Sequence, residues 1–465
     1  MNSTFIKESF LSVPKRDLFA FHEQPDAFSL LTRKSDNIEV ISTASTLKPS
    51  SDVVRFIAHF LFFRFRFAMI HTEYEPPDLF VDEQKEGLFT RWRHEHRFIE
   101  AGWKADPATL LQDRIDFAHP LLFLFRPFVH HRLKSMFAFR HGKTAEEVHG
   151  KAKKTQGHAG TRVIVTGATG LIGKRITRIL RDKGVSVTAF VRDVEKAHTK
   201  LGHDVECVHW DFHKPHEGTW KERIQGADAI IHLAGTPLFK QRWTPAFKEE
   251  MEQSRVLGTR QLVEAVKAAD HKPRAFVSAS AVGIYGTDPD RTVDENTGFG
   301  DDLLARICIH WENEACKLNS GGIRSAQIRI GIVLSTESGA IKEMLPLFRA
   351  GMGGIMGYPH HWINWIHLED MARIFVMAAF NEEMHGPFNA VAPAPVQMRT
   401  FSQIFARTLR RPCLMRYPVP ILKMIIGEAG EYSSGGPRAD CGKLEKTGYS
   451  FFFTEIGAAL TNILA

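Results

Sequence analysis

Residues 161–192, TRVIVTGATGLIGKRITRILRDKGVSVTAFVR, leave this chain little choice of fold. The apolar run RVIVT reads as a buried parallel strand. Gly167, Gly170 and Gly173 then recur at every third position, entering a helix whose apolar positions are Leu171, Ile172, Ile176, Ile179 and Leu180. A side chain at such a turn would hold the backbone away from a pyrophosphate, whose charge is stabilised by free N–H groups at the helix start. A second strand, VSVTAFV, follows Gly184 and closes at Arg192. Sites of this kind that select NAD place an acid there for the ribose 2′-hydroxyl, whereas a cation suits the extra phosphate of NADP. The expectation is an NADP(H) site, with Gly167, Ala168, Thr169, Gly170, Leu171, Ile172 and Gly173 around the pyrophosphate and Arg192 at the 2′-phosphate. One charge-assisted contact is worth roughly 1.5–3 kcal/mol, enough for a preference of about ten- to a hundredfold.

The rest of the 465 residues leaves room for about three domains. The 60 basic and 53 acidic residues are mixed along the chain, so a net charge of +7 does not indicate a nucleic-acid surface. The densest basic region, residues 126–154, reads as a solvated connector. Five scattered cysteines without a CxxC pair point to reduced thiols and a cytoplasmic protein, and away from a structural zinc site. The N-terminus lacks the apolar core of a secretion signal. The most apolar window, FIAHFLFFRFRFAMI, is too short and, with Arg64 and Arg66, too charged to cross a bilayer; its alternation is that of a half-buried strand.

Residues 142–160 contain no large apolar side chain except Val148 and read as a linker. Before them, residues 1–141 combine strand-like segments (FIKESFLSV, NIEVIST, RFRFAMIHTEY, LFTRWRHEHRFIEA, TLLQDRIDFA), a helix within DLFAFHEQPDAFSLL, and a final apolar helix from Pro120, which together predict a curved sheet gripping a helix. His94 and His96 share one face of a strand; with no third ligand in view they read as a hydrogen-bonded pair, and no metal is expected. From 161 to 395, strands alternate with helices as a doubly wound parallel sheet of the Rossmann kind requires. The strand ends, where such sheets bind ligands, carry Arg192, Asp211 with Phe212, Leu233 to Gly235, Ser278 to Ser280, and Arg329 to Ile332. Residues 396–465 read as a small helical C-terminal domain.

Two resemblances sharpen this. VPKRDLFAFHEQPDAF, PPDLFVDEQKEGLFTRWRHEHRF and LLQDRIDFAHPL resemble the START-like (SRPBCC) superfamily, which implies an α+β helix-grip domain around an apolar ligand cavity; a core filled by the same aromatic residues is the other reading. RWTPAFKEEMEQSRVLGTRQLVEA, VSASAVGIYG, GDDLLARICIHWENEA, IRIGIVLS and WINWIHLEDMARI resemble the extended short-chain dehydrogenase/reductases, and among them epimerase-like oxidoreductases with an extra C-terminal domain. The resemblance implies that Asp211 and Phe212 contact adenine, that Leu233, Ala234 and Gly235 line the ribose and phosphates, and that two helices form a homodimer contact.

That superfamily moves its proton with a tyrosine and a lysine four residues later. None of the six tyrosines here has such a lysine, and where the pair should stand the chain reads ARICIHWENEACK, with Ile307 or Cys308 and Trp311 or Glu312 at the two places. Ser280 matches the superfamily's hydroxyl, with Ser278 as second choice. Glu312, if buried, could have a raised pKa and replace the missing acid or base. Tyr285 is a third catalytic candidate, with packing as its other reading. Downstream, Met356, Tyr358, Trp362, Trp365 and His367 offer a flat apolar substrate side, while Asp370 reads as a helix cap. These residues predict an NADP-dependent oxidoreductase or epimerase-like enzyme for an apolar or aromatic molecule. The alternatives are a silent NADP(H) sensor and a binder of lipids or other hydrophobic ligands.

Overall fold

The structure is a computed structural model that describes residues 2–24, 26–44, 46–49, 53–60, 63–155, 160–432 and 435–464. It divides into two compact units, Met1–Gln156 with the terminal residue, and Gly157–Leu464.

The first unit is built on antiparallel strands β1 (Asn2–Leu11), β2 (Ile38–Ser42), β3 (Val53–Phe60), β4 (Phe63–Glu75), β5 (Leu79–Glu86), β6 (Arg91–Trp103) and β7 (Asp106–Ala118). They lie in the order β1-β7-β6-β5-β4-β3-β2. The apolar window proves to be two strands, with Phe60 paired to Phe63, and Arg64 and Arg66 are exposed on β4. Helix α1 (Lys15–His22) follows β1, and α2 (Leu122–Thr155) follows β7. Leu133 and Phe137 of α2 pack on Phe5, Ile115 and Phe117 of the sheet, so aromatic side chains fill this part of the core. Residues 142–155, read as a linker, continue α2: burial of Thr144 and Val148 gives the segment an apolar face that composition alone hid. The rest of the linker, 156–159, lies outside the described residues.

The second unit contains β8 (Arg162–Thr166), β9 (Ser186–Val191), β10 (Glu206–His209), β11 (Ala229–His232), β12 (Ala275–Ala281), β13 (Arg324–Ile330) and β14 (Gly386–Ala390). All are parallel, in the order β10-β9-β8-β11-β12-β13-β14. The order reverses between β8 and β11, and the crevice beyond the carboxyl ends there is where such sheets take ligands. Helices α3 (Leu171–Asp182), α4 (Pro245–Ala268), α5 (Leu303–Cys316) and α6 (Leu368–Phe380) cover the sheet. Buried Glu369 of α6 accepts from Arg175 of α3 (2.5 and 2.9 Å) and from Arg373 (2.7 Å), tying the two helices together. Residues 396–464 do not form a separate domain. Met415–Tyr417 pairs with Gly354–Met356, Val396–Gln397 with Trp362–Ile363, and Arg438–Ala439 with Thr292–Val293, so these segments are woven into the same unit.

Candidate functional site

Each glycine of the β8–α3 turn has its own geometric reason. Gly167 has φ +66°, and a Cβ on it would stand 3.0 Å from the Leu233 and Ala234 backbone. A Cβ on Gly173 would lie 2.3 Å from the Gly167 carbonyl oxygen, so only glycine lets the helix close on the turn. Gly170, the exposed N-cap residue of α3, would meet nothing but the Gly167 carbonyl, at 3.2 Å. The open side of the loop is therefore the side from which a pyrophosphate would reach the helix N-terminus, and the cradle fits the expected group. Ala168 is buried, while Thr169, Leu171 and Ile172 are half-buried around it.

Thr166 and His232 brace this cradle. The Thr166 hydroxyl oxygen accepts from the Leu233 and Ala234 N–H groups, both at 3.1 Å, and lies 2.7 Å from His232 Nδ1. His232 Nε2 lies 3.0 Å from Thr259 Oγ1, whose own proton goes to the Arg255 carbonyl. His232 therefore carries its proton on Nε2 and accepts from Thr166; burial, lowering its pKa to about 3, keeps it neutral. Leu233, Ala234 and Gly235 are thus fixed at the end of β11, with Gly235 exposed.

Arg192 is exposed just beyond β9, where a 2′-phosphate would be met. Asp211 is half-buried beyond β10, its Oδ1 accepting from the His213 N–H at 3.0 Å. The Phe212 side chain packs in the core with Trp210 and Trp220, leaving only its backbone for an adenine contact. Ser278 is buried with its hydroxyl donating to the Ala279 carbonyl at 3.0 Å, the backbone-satisfying role of a strand serine.

The three catalytic candidates come together around a residue noted only as a strand end, Arg329. Ser280, 2% exposed at the end of β12, donates to Glu312 Oε1 at 2.6 Å. Glu312, on α5, also accepts from Arg329 Nε and Nη2, both at 2.9 Å. Arg329 Nη1 donates to the Tyr285 hydroxyl at 2.7 Å, and that hydroxyl donates to Asn389 Oδ1 at 2.8 Å. Burial pushes the Tyr285 phenol up to about 12 and the Cys308 thiol up to about 12, so neither titrates near neutrality. Tyr285 packs in the core and holds Arg329 through its hydroxyl.

A cavity of about 140 Å³ opens beside this cluster, lined by Val282, Leu304, Ile332 and Trp362 among apolar residues and by Asp302 and Asn364 among polar ones. Of the substrate-side candidates, Trp362 alone lines it. Met356 is half-buried in a strand pair, and Tyr358 is half exposed, stacked on His361 at 4.7 Å. Trp365 is fully buried with its indole N–H on the Ala394 carbonyl at 2.9 Å. His367 is buried as the N-cap of α6, its Nδ1 accepting from the Glu369 N–H at 3.1 Å and its Nε2 lying 2.9 Å from Asn462. Trp365 and His367 are therefore framework residues. The cap expected of Asp370 is supplied by His367. Asp370 instead accepts from the Tyr449 hydroxyl (2.9 Å) and the Phe452 N–H (3.0 Å), and burial raises its pKa to about 7.

One residue had no sequence signal. Arg255 of α4 is half-buried with its guanidinium carbon 5.3 Å from the Trp311 ring and 3.3 Å from where a Cβ on Gly235 would stand. Its Nη1 donates to the Met251 carbonyl, and no carboxylate pairs with it among the described residues. The adjacent Trp311 indole N–H is buried without an acceptor.

The reversed strand order, the glycine cradle and the Ser280–Glu312–Arg329 cluster define a dinucleotide-binding α/β protein of the extended dehydrogenase/reductase type. The profile of the NAD dependent epimerase/dehydratase family matches residues 163–390. The epimerase family protein SDR39U1 homolog, chloroplastic, of Arabidopsis thaliana is 34% identical over 307 residues, 65% of this chain and 86% of that protein. Epimerase family protein YfhF of Bacillus subtilis is 32% identical over 305 residues, 65% of this chain and 98% of that protein. The human epimerase family protein SDR39U1 (isoform2), solved with NADPH, aligns with TM-score 0.59 and 31% identity over 65% of this chain and 99% of its own. The nucleoside-diphosphate sugar epimerase from Corynebacterium glutamicum aligns with TM-score 0.56 and 26% identity over 99% of this chain and 90% of its own. The chain belongs to the NAD dependent epimerase/dehydratase family. No helix among the described residues is long and apolar enough to cross a membrane.

Proposed function

We propose that the chain binds NADP(H) and acts as an epimerase-like oxidoreductase on a small apolar or aromatic molecule. The observation that carries this reading is the open cradle at Gly170 together with the exposed Arg192 at the end of β9. The nicotinamide, when bound, takes up or supplies a hydride. The proton is handled by the chain: Ser280 Oγ accepts it from the substrate hydroxyl as its own proton passes to Glu312 Oε1, with Arg329 holding the carboxylate in place. Arg255, which has no carboxylate partner among the described residues, and the Trp311 N–H, which has no acceptor, suit an oxygen of a bound substrate. The cavity's aliphatic and aromatic lining supports the apolar substrate class.

Fluorescence titration tests the cofactor. NADPH is expected to bind about ten- to a hundredfold tighter than NADH, and Arg192→Ala to erase the difference. Equal affinities in the unmodified chain would overturn the assignment. Turnover is tested by oxidation of NADPH across a panel of small carbonyl compounds, with Ser280→Ala expected to slow it while NADPH affinity holds.

A second reading, a nucleotide-responsive binding protein without turnover, is favoured by the buried, unreactive Ile307, Cys308 and Trp311 where the superfamily keeps its tyrosine and lysine. No oxidation across the panel would select it. For residues 2–155 we infer a helix-grip unit of the START-like kind, supported by the sheet order and by α2 lying along it. Native mass spectrometry of chain purified from cells distinguishes a hydrophobic ligand from a filled aromatic core. Five scattered cysteines without a CxxC pair support a cytoplasmic setting.

A further inference from the structure

The N-terminal unit holds a polar cluster that the nucleotide site does not use. Strand register sets His71 of β4 opposite Asp82 of β5, and Asp82 opposite His94 of β6. Two residues further along β6, His96 stands opposite Asp113 of β7. Side chains two apart on a strand share a face, and the His94 and His96 rings lie 3.8 Å apart. From α2, His141 Nε2 approaches Asp113 Oδ2 to 2.5 Å. Four imidazoles and two carboxylates are thus collected in one place, their side chains only 3–20% exposed.

A satisfied hydrogen-bond network leaves few orphan atoms. Here His71 Nδ1, Asp82 Oδ1 and His96 Nδ1 are buried without an aligned hydrogen bond, although the first two are 2.5 Å apart and His96 Nδ1 is 2.6 Å from Asp113 Oδ1. Three other atoms converge. Asp82 Oδ2 is 3.2 Å from His96 Nε2 and 3.8 Å from His94 Nδ1, and one ligand atom from each residue lies within 4.8 Å of the others. Four ligands at about 2.0–2.1 Å around a tetrahedral zinc ion stand about 3.4 Å from one another, between the two observed separations. The far nitrogens, His94 Nε2 and His96 Nδ1, both face Asp113 Oδ1, at 2.8 and 2.6 Å. A carboxylate behind the ring fixes the tautomer and orientation of a metal-bound imidazole in the same way.

The geometry points to a divalent transition-metal site in which Asp82 Oδ2, His94 Nδ1 and His96 Nε2 are the ligands and Asp113 is the positioning residue. Nitrogen and oxygen donors without thiolate suit zinc, iron(II) or a neighbouring first-row ion. Three protein ligands leave a fourth position for water or for an oxygen of a bound molecule, the pattern of a reactive rather than a purely structural centre. The competing arrangement places a proton on the imidazoles, instead of a metal, to balance the two carboxylates.

The test uses the full-length chain without a histidine tag, stripped with EDTA and titrated with Zn²⁺ by calorimetry. One equivalent is expected to bind with Kd below about 1 μM. His96→Gln and Asp82→Asn should each weaken binding more than a hundredfold, Asp113→Asn roughly 10- to 100-fold, and His131→Gln, on the exposed face of α2, not at all. Binding weaker than about 100 μM, or binding that survives His96→Gln unchanged, overturns the proposal. Circular dichroism checks that the variants fold. X-ray absorption at the zinc edge of the unmodified chain decides even if they do not: a nitrogen and oxygen shell with two imidazoles supports the site, and a shell with sulfur or without imidazole overturns it.

Discussion

At the scale of single residues, the most consequential pair is Glu312 and Arg329, a buried carboxylate and guanidinium in bidentate contact beneath Ser280. Removing one partner of such a pair leaves the other's charge uncompensated, which costs about 3–5 kcal/mol. Glu312→Gln is therefore expected to lower the urea midpoint of the second unit sharply as well as to stop turnover, whereas Ser280→Ala should affect turnover alone. Equal urea midpoints for Glu312→Gln and the unmodified chain would show that the pair is not structurally coupled. Ser280 and Glu312 were legible in the sequence because each stands at a place where the fold's chemistry needs a group. Their mutual contact was not, since Arg329 comes from a neighbouring strand. Trp365 and His367 misled for the opposite reason: an aromatic beside a glycine-rich loop has the same composition whether it faces a ligand or closes a core. The residues of the metal-like cluster were half visible. HxH alternation put two imidazoles on one face, but Asp82 and Asp113 are brought to them by strand register, which local sequence does not encode.

Among the elements, α3 and α6 are joined by the Arg175–Glu369–Arg373 triad, and α3 is also the helix whose N-terminus faces the nucleotide cradle. Despite the opposing cost of burial, the two guanidinium groups hold the Glu369 carboxyl down at about 2. A depressed folded-state pKa means that this stabilisation is present above the ordinary carboxyl value of about 4.5 and lost as the pH falls towards 2. Glu369→Gln should cost about 3–5 kcal/mol at neutral pH, and chemical-denaturation curves between pH 5 and pH 2 should be flatter for the variant than for the unmodified chain. The strand–turn–helix–strand unit at 161–192 was readable almost residue by residue, since periodicity, glycine spacing and apolar runs all agree there. Strands β3 and β5 were missed because their side chains do not alternate cleanly, and α2 was cut short because small and basic residues around Gly142 conceal a helical face.

At the scale of the whole molecule, the residues expected to form a separate C-terminal domain belong to the second unit. Short parallel and antiparallel pairs draw residues 396–464 back onto earlier segments: Arg438–Ala439 reaches residues 292–293, and Asp370 holds Tyr449 and Phe452. A chain ending at residue 395 should therefore fail to fold its second unit, losing both cooperative thermal unfolding and NADPH binding. A truncated protein with an unchanged melting temperature would restore the separate domain. The Asn462 contact with His367, which joins positions 95 apart in the chain, has a further consequence for biosynthesis. A nascent polypeptide emerges from the ribosome N-terminus first, so the glycine cradle at residues 167–173 is in solution well before residue 462 arrives to hold His367, and closure of the second unit is a late step of its folding.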